Sequence, residues 1–147
     1  MPIISRRSLL LAGGTTVLAA ALPALSWAQA ATPVRNRVLF QVTDNDPARW
    51  NIVLNNMQFL REGVGGEPVE IELVAYGPGI NMLKADSAVK PRIADAMKSG
   101  VKIYVCQNTM NAFKLTPADM LPEADYVPSG VVEVMRKQQQ GWAYIRS

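Results

Sequence analysis

The chemistry that this sequence can offer centres on one thiol, Cys106, in the stretch GVKIYVCQNTMNAFKL at residues 100–115. The chain of 147 residues contains no second cysteine and no histidine. A thiolate metal site and a Cys–His nucleophile pair are therefore excluded, and the dispersed acidic residues predict no carboxylate metal site either. An internal disulfide is also impossible, so the thiol stays free, pairs with another molecule or carries a modification.

Two interpretations of Cys106 remain open from the residues around it. Free cysteine is among the most often buried residue types, where it behaves as a small hydrophobic group. The other interpretation starts from its predicted position, at the end of a strand and before a helix whose unpaired N–H groups and dipole favour a thiolate. Gln107, Asn108 and Thr109 follow it, so its surroundings are not purely apolar.

The elements that position this thiol follow from hydrophobic patterning. From Val34 onward, short runs rich in β-branched residues alternate with helical patterns, which is typical of βαβ units around a parallel sheet. Asp46 and Pro47 form the N-cap and first position of the clearest helix, and either Asn108 or Thr109 can cap a short helix after the thiol. The predicted strands span residues 36–42, 69–76, 101–106, 124–127 and 142–146. The predicted helices span residues 47–63, 87–99, a short segment from 107, one turn at 116–117 and a segment from 130.

Five strands interleaved with four main helices predict an α/β fold of the flavodoxin-like type. We expect an open, mostly parallel five-stranded sheet with helices on both faces and right-handed crossovers. Such sheets bind ligands beyond the carboxyl ends of their strands, where the strand order reverses. We therefore predict a ligand site at that edge, where Cys106 lies, and Cys106 is the candidate nucleophile there under the second interpretation. The bordering residues are predicted to be Asp44, Asn45, Gln107, Asn108, Thr109 and Ser129.

Charge and composition exclude several classes of partner and cofactor. The chain has 15 Lys and Arg against 12 Asp and Glu, and the cations are scattered singly. Nucleic acid is therefore not an expected partner, because phosphate neutralisation requires clustered cations. The first strand is followed by TDNDPA at residues 43–48 instead of a Gly-rich or Ser/Thr-rich phosphate loop, so we expect no flavin, dinucleotide or other cofactor.

The N-terminal segment, MPIISRRSLLLAGGTTVLAAALPALSWAQA at residues 1–30, predicts an export signal. Arg6 and Arg7 precede an apolar run, and Ala28-Gln29-Ala30 forms a small-x-small cleavage site. The paired arginines favour twin-arginine export over the general secretory route or an uncleaved anchor. We therefore expect cleavage near Ala30 and a periplasmic domain at residues 31–147, without membrane attachment in its mature form.

Four segments of the chain carry a resemblance to a known family. They are VLFQVTDNDPARWNIVLNNMQFL, VEIELVAYGPGI, GVKIYVCQNTM and DYVPSGVVEVMRKQQQGWAYIR, which together extend over nearly all of residues 31–147. In these segments the chain resembles the DsrE/DsrF-like sulfur-relay proteins, in the branch of small DsrE-family members. The resemblance implies flavodoxin-like subunits in a homo- or hetero-oligomer. It also implies a cysteine that carries sulfur as a persulfide and passes it to a partner thiol, and Cys106 stands at the matching position.

The function expected from these observations is that of a periplasmic sulfur-handling protein, a sulfurtransferase or sulfur carrier. Cys106 would accept sulfane sulfur from a donor, and the N-terminus of the following helix would stabilise its anion. A different class of function stays open beside it. In that alternative the chain is a non-catalytic oligomeric module that binds a small ligand or serves in assembly, and Cys106 is inert.

Overall fold

The computed structural model describes residues 36–147, and the predicted export signal lies outside them. The chain alternates strands and helices in the predicted order. The strands are β1 (Asn36–Val42), β2 (Val69–Ala75), β3 (Lys102–Cys106), β4 (Asp125–Val127) and β5 (Ala143–Arg146). The α-helices are α1 (Pro47–Gly63), α2 (Lys90–Lys98), α3 (Gln107–Phe113) and α4 (Gly130–Gln139), and 3₁₀ helices form at Gly77–Leu83 and Pro117–Asp119.

The five strands form one parallel sheet in the order β4-β3-β2-β1-β5. The predicted α/β class is therefore confirmed. The chain moves outward from β1 to β4 and then returns, so that β5 pairs with the other edge of β1. Right-handed crossovers in opposite directions place α4 on the face opposite α1, α2 and α3. The strand order consequently reverses between β1 and β5.

The face covered by α1, α2 and α3, here called the apolar face, holds most of the hydrophobic core. Its cluster contains 22 buried residues, all apolar. Phe40 in β1, Leu73 in β2 and Ile103 in β3 are each at most 1% exposed. Complete burial of one such side chain contributes about 1.5–3 kcal/mol relative to its exposure, so this face supplies most of the hydrophobic stabilisation.

The opposite face, here called the α4 face, combines a smaller apolar cluster with a buried charge. Five buried residues, among them Val134 and Trp142, make up the cluster. Beside it lies Glu72 of β2, which is only 1% exposed. Lys137 of α4 places its Nζ 2.8 Å from both carboxylate oxygens of Glu72 and 4.3 Å from the centroid of the Trp142 ring. Burial of this carboxylate is therefore compensated by a paired ammonium group.

All the predicted elements are present, but several of their ends shift by one to three residues and one further helix forms. The cap of α1 is confirmed, since the Asp46 carboxylate accepts the Ala48 N–H at 2.9 Å. Helix α2 begins at Lys90 instead of residue 87, with Pro91 in its first turn, where a missing N–H costs no helical bond. Residues 77–83, for which we predicted no helix, form a 3₁₀ helix. Gly79 permits this path, because a Cβ there would lie 2.4 Å from the Val42 carbonyl oxygen.

Candidate functional site

The candidate site is centred on Cys106, which lies where β3 ends and α3 begins. It is the last residue of the strand, as predicted, and it occupies the N-cap position of the helix. Its side chain is 3% exposed, yet it belongs to neither hydrophobic cluster. The thiol is therefore buried among polar groups as well as apolar ones.

One hydrogen-bond partner of the thiol comes from a distant part of the chain. The N–H of Gly130, the first residue of α4, donates to Cys106 Sγ at 3.2 Å across a sequence separation of 24 residues. The sulfur therefore faces the N-terminus of α4 in addition to that of α3. Both helix ends present unpaired N–H groups and a positive dipole end, which favour a negative charge on the sulfur.

The ionisation of Cys106 reflects a competition between burial and hydrogen bonding. Burial raises the pKa of the thiol, but hydrogen bonds from the Thr109 hydroxyl and from the N–H groups of Gly130, Thr109 and Asn108 outweigh it. The pKa of Cys106 is consequently below its ordinary value. A lower pKa increases the thiolate fraction at neutral pH, and the thiolate is the nucleophilic form of cysteine.

Thr109 links the thiol to the segment that follows β2. Its Oγ1 accepts the Gly77 N–H at 3.0 Å, and its hydroxyl hydrogen is then available to Cys106 Sγ. Gly77 adopts a φ of +54°, a left-handed conformation that suits glycine. The prediction that Asn108 or Thr109 caps α3 is wrong, because Cys106 holds the cap position and the Thr109 side chain is engaged with Gly77.

Tyr76 stands beside the thiol and packs against the start of α4. Because Ala75 pairs with Val105 in the parallel register, Tyr76 and Cys106 are lateral neighbours on the α4 face. A Cβ at Gly130 would lie 2.6 Å from Cδ1 of the Tyr76 ring. Glycine at residue 130 therefore allows α4 to bring its first N–H group up to the sulfur without a collision with this ring.

The other predicted residues near the thiol contribute mainly through their backbone. Asn108 is exposed, and its N–H also lies 3.2 Å from the Pro128 carbonyl oxygen, which joins α3 to the segment before α4. Ser129 precedes α4, and its carbonyl oxygen accepts the Glu133 N–H at 3.0 Å, while its side chain makes no capping bond. Gln107 is exposed and lines a neighbouring cavity of about 370 Å³.

Asp44 and Asn45 lie at the end of β1, two strands away from β3. The carbonyl oxygen of Asp44 accepts the Trp50 Nε1–H at 2.7 Å, and its carboxylate is 3.9 Å from Arg146 of β5. Asn45 is exposed. The N–H groups of Asn108 and Thr109 and the Thr109 hydroxyl therefore reach the thiol. Gln107 and Ser129 only adjoin Cys106 and Gly130 in the sequence, and Asp44 and Asn45 lie in a separate part of the same edge.

Several residues of this edge were missed from the sequence. Gly130 escaped notice because a backbone N–H leaves no compositional signal. Gln41, Tyr144 and Arg146 share the α4 face, where the Tyr144 hydroxyl donates to Gln41 Oε1. The alternation of side chains along β1 and β5 could have placed these three residues on one face, once the pairing of the two strands was known.

The described part of the chain offers neither a metal-ligand cluster nor a membrane-spanning helix. Among residues 36–147, no three His, Cys, Asp or Glu side chains gather as metal ligands. No helix in that range combines the length and apolarity needed to cross a bilayer.

Comparison with known proteins gives a family and similar solved structures, of which two are described below. Residues 36–146 match the sequence model of the DsrE/DsrF-like family. The first structure is that of MTH1491, a protein of unknown function from Methanobacterium thermoautotrophicum. Its sequence is 36% identical to this chain, and its structure superposes with a TM-score of 0.73. The alignment covers 76% of this chain and 99% of MTH1491. The second is the structure of BT1422, a conserved protein of unknown function from Bacteroides thetaiotaomicron, with a TM-score of 0.65 over 80% of this chain and 99% of BT1422. The two sequences are only 13% identical, so this likeness supports the fold alone. No curated protein matches the chain.

Proposed function

This chain belongs to the DsrE/DsrF-like family, whose membership suggests a sulfur-relay-like role, and we propose that Cys106 carries sulfane sulfur as a persulfide for a partner thiol. The observation that carries this proposal is the set of donors around the sulfur. The Gly130 N–H lies 3.2 Å from Sγ, and the Thr109 hydroxyl and two N–H groups of α3 add to it. Such an arrangement supports an anionic sulfur inside a buried site.

The proposed transfer is balanced in atoms and electrons. The Cys106 thiolate attacks the outer sulfur of a donor persulfide, R–S–SH. A new S–S bond forms on Cys106 while the donor S–S bond breaks, and the donor leaves as the thiolate R–S⁻. The thiolate of an acceptor then attacks the outer sulfur of the Cys106 persulfide. The S–S bond on Cys106 breaks, Cys106 leaves as a thiolate, and the acceptor becomes a persulfide. Neither step consumes an oxidant or a reductant, since each is a thiol–persulfide exchange.

The same hydrogen bonds act in both steps. They stabilise Cys106 as the attacking thiolate and again as the leaving group, and a thiol with a lower pKa leaves faster. Since Cys106 is the only cysteine in the 147-residue sequence, the transferred sulfur has no second thiol within the same subunit. The acceptor is therefore a thiol of another molecule, which corresponds to a carrier that hands sulfur on.

The burial of Cys106 favours a second candidate function. At 3% exposure the thiol is less accessible than a carrier requires, unless the site opens during transfer. The chain would then be a non-catalytic module that binds a small ligand at the same edge, or serves in assembly, and Cys106 would be inert. Cys106→Ala separates the two functions, because the binding module retains its ligand affinity and the carrier loses all sulfur loading.

The location and assembly of the protein are part of the same proposal. The paired Arg6 and Arg7 and the cleavage pattern at residues 28–30 support export to the periplasm. Exposed apolar side chains support an oligomer, because burial of such side chains between subunits is favourable. They lie on α1 and α4 and comprise Ile52, Phe59, Val131 and Met135.

One experiment tests the carrier function together with location and assembly. The protein is expressed with its complete sequence, isolated from the periplasmic fraction without reductant, and weighed by intact and native mass spectrometry. We expect a chain that begins near Ala31, a fraction that is heavier by one sulfur atom, and a native mass of two or more subunits. Incubation with a small thiol should remove the added sulfur.

Cys106→Ser is the control for the added mass. Its hydroxyl can accept the Gly130 N–H, so we expect the variant to fold and to lack the sulfur increment under all loading conditions. If the wild-type protein never gains sulfur from a persulfide donor, or gains it equally in Cys106→Ser, the carrier function is wrong. A precursor that remains in the cytoplasm would contradict only the location.

A further inference from the structure

A row of polar side chains leads away from Cys106 across the sheet. It consists of Tyr76, Gln41, Tyr144 and Arg146, here called the polar strip. These residues lie on the α4 face near the carboxyl ends of three adjacent strands, β2, β1 and β5, and Cys106 continues the row on β3. The register places Gln41 directly beside Arg146, and Tyr76 beside Cys106.

Hydrogen bonds join the middle of the polar strip. The Tyr144 hydroxyl donates to Gln41 Oε1. Burial raises the pKa of Tyr76, the nearby Tyr144 raises it further, and a hydrogen bond with the Gln41 side chain lowers it in part. Gln41 therefore lies between two tyrosine hydroxyls. Tyr76 is half-buried, whereas Tyr144 is 38% exposed, so the strip opens to solvent towards β5.

Arg146 ends the strip with a positive charge that forms a loose ion pair with Asp44. Its side chain is 60% exposed, and its Nη2 lies 3.9 Å from Asp44 Oδ2. That distance is too long for a hydrogen bond. Within residues 36–147, no other hydrogen bond or ion pair of this guanidinium group is present. Its N–H donors are therefore free to bind an anionic group from solvent.

The place of Arg146 in the topology points to a ligand as well. The strand order reverses between β1 and β5, and open α/β sheets bind ligands in the crevice at the carboxyl ends of the two strands that flank such a reversal. Gln41 and Arg146 are paired across that boundary. Cys106 lies on β3, so the reactive sulfur and the predicted ligand crevice are separate points joined by Tyr76.

The separation of these points sets the size of a ligand that reaches both. From β3 to β5 there are three interstrand spacings, which amount to about 14 Å. The long side chain of Arg146 covers roughly half of this distance when it extends towards β1. The remaining length suits a compound of the size of an amino acid or a short peptide, with a sulfur at one end and an anion at the other.

We propose that the polar strip binds the carboxylate end of a low-molecular-weight persulfide donor, and that Arg146 selects for its negative charge. This inference rests on the proposed function of Cys106. The guanidinium group of Arg146 pairs with the carboxylate, and the amide and hydroxyl groups of Gln41, Tyr144 and Tyr76 bind the polar part between them. The sulfane sulfur of the donor then lies next to the Cys106 thiol.

Two aromatic disulfides of similar shape, one anionic and one neutral, test this selection. Dithiobis(nitrobenzoate) carries a carboxylate on each ring, whereas dithiodipyridine is neutral. Both react with a thiolate and release a product that is followed by absorbance. A change in the ionisation or exposure of Cys106 alters both rates by the same factor, so it leaves their ratio unchanged. We expect Arg146→Gln to lower the ratio of the anionic to the neutral rate by about two- to fivefold, the range of an exposed ion pair.

Matched variants identify the source of the effect. Arg146→Lys keeps the charge and should restore part of the ratio. Asp44→Asn removes the carboxylate that competes for Arg146, so it should raise the ratio of the anionic to the neutral rate above that of the wild type. Arg136→Gln removes an exposed charge at the opposite end of α4 and should leave the ratio unchanged. High salt should lower the wild-type ratio towards that of Arg146→Gln, because the Debye length falls to about 3 Å at 1 M.

The outcomes separate this inference from the proposed function. If both reagents modify the native protein and Arg146→Gln leaves their ratio unchanged, the inference is overturned and the carrier function stands. An equal fall in Arg136→Gln would also overturn it, because the effect would then come from net charge alone. If neither reagent reacts until the protein is unfolded, the thiol is inaccessible, and both the inference and the carrier function fail.

Discussion

The two faces of the sheet differ sharply in what they bury. The cluster on the apolar face contains 22 buried hydrophobic residues from the sheet and the elements that cover it, whereas the cluster on the α4 face contains five. The α4 face also carries the buried Glu72, the Cys106 thiol and the polar strip. A single helix of ten residues cannot cover five strands, so part of this face remains open to solvent and to ligands.

This difference indicates that the two faces of the same strands have different roles. Side chains alternate between the two faces of a strand, so Phe40 and Val105 contribute to the apolar core while their neighbours Gln41 and Cys106 face α4. Polar or reactive groups on the α4 face therefore do not interrupt the main core. The apolar face is expected to determine stability, and the α4 face to determine reactivity.

The largest expected effect is a loss of stability from the apolar face. Phe40 is 1% exposed, so Phe40→Ala should lower the free energy of unfolding by about 3–5 kcal/mol through lost burial and the cavity that remains. Urea denaturation measures this change. Phe59→Ala is the matched control, because Phe59 is 62% exposed and its removal should have little effect on a single subunit. If Phe40→Ala and Phe59→Ala lowered the free energy of unfolding equally, the apolar face would not determine stability.

A smaller loss of stability is expected from the buried charge of the α4 face. Lys137→Met leaves the Glu72 carboxylate without its main partner, although Lys102 remains 3.9 Å away. The expected loss is about 2–4 kcal/mol, at or below the usual cost of a broken buried pair. Adding Glu72→Gln to Lys137→Met should recover part of it, since no buried charge then remains unpaired.

Lys98→Met controls for the removal of a lysine. Its pair with Asp95 is exposed, so urea denaturation should detect almost no change. If Lys137→Met is equally neutral, the Glu72–Lys137 pair contributes nothing, and the α4 face is no more sensitive to charge than the surface.

The smallest expected effect concerns the thiol itself. Thr109→Val removes the hydroxyl that donates to Cys106 and accepts from Gly77, so the pKa of the thiol should rise. The midpoint of the pH dependence of alkylation by iodoacetamide measures the shift. The expected cost in stability is only about 1–2 kcal/mol, the value of a lost hydrogen bond with an unpaired donor. Thr43→Val, two strands away, should leave the midpoint in place.

The stability of the protein should follow the same titration. Since the pKa of Cys106 is lower in the folded chain than in the unfolded chain, the folded protein binds fewer protons between the two values, and stability rises with pH across that interval. This contribution is lost as the pH falls through the folded pKa. Thr109→Val should narrow the pH interval over which stability rises, because it brings the folded pKa of Cys106 closer to the unfolded one. Cys106→Ser should remove this pH dependence of stability. A midpoint that stays unchanged in Thr109→Val would show that its hydroxyl does not tune the thiol.

Much of the fold could be predicted because its signals are local. Asp46 and Pro47 marked the start of α1, and β-branched runs bounded by turn residues marked the strands. The position of Cys106 at the end of β3 followed from the same pattern. The 3₁₀ helix at Gly77–Leu83 was missed, because its path depends on packing such as the close approach of Gly79 to Val42.

The sequence by itself therefore determined the α/β class, the order of the elements and the presence of one thiol at the carboxyl edge of the sheet. Propensity, capping and side-chain alternation act over a few residues, so they are visible in the chain. Only the tertiary structure decided that the strand order reverses between β1 and β5, that Glu72 is buried and that the Gly130 N–H meets the Cys106 sulfur. Those outcomes depend on which strands pair and on which face α4 crosses, and such long-range contacts have no counterpart in local composition.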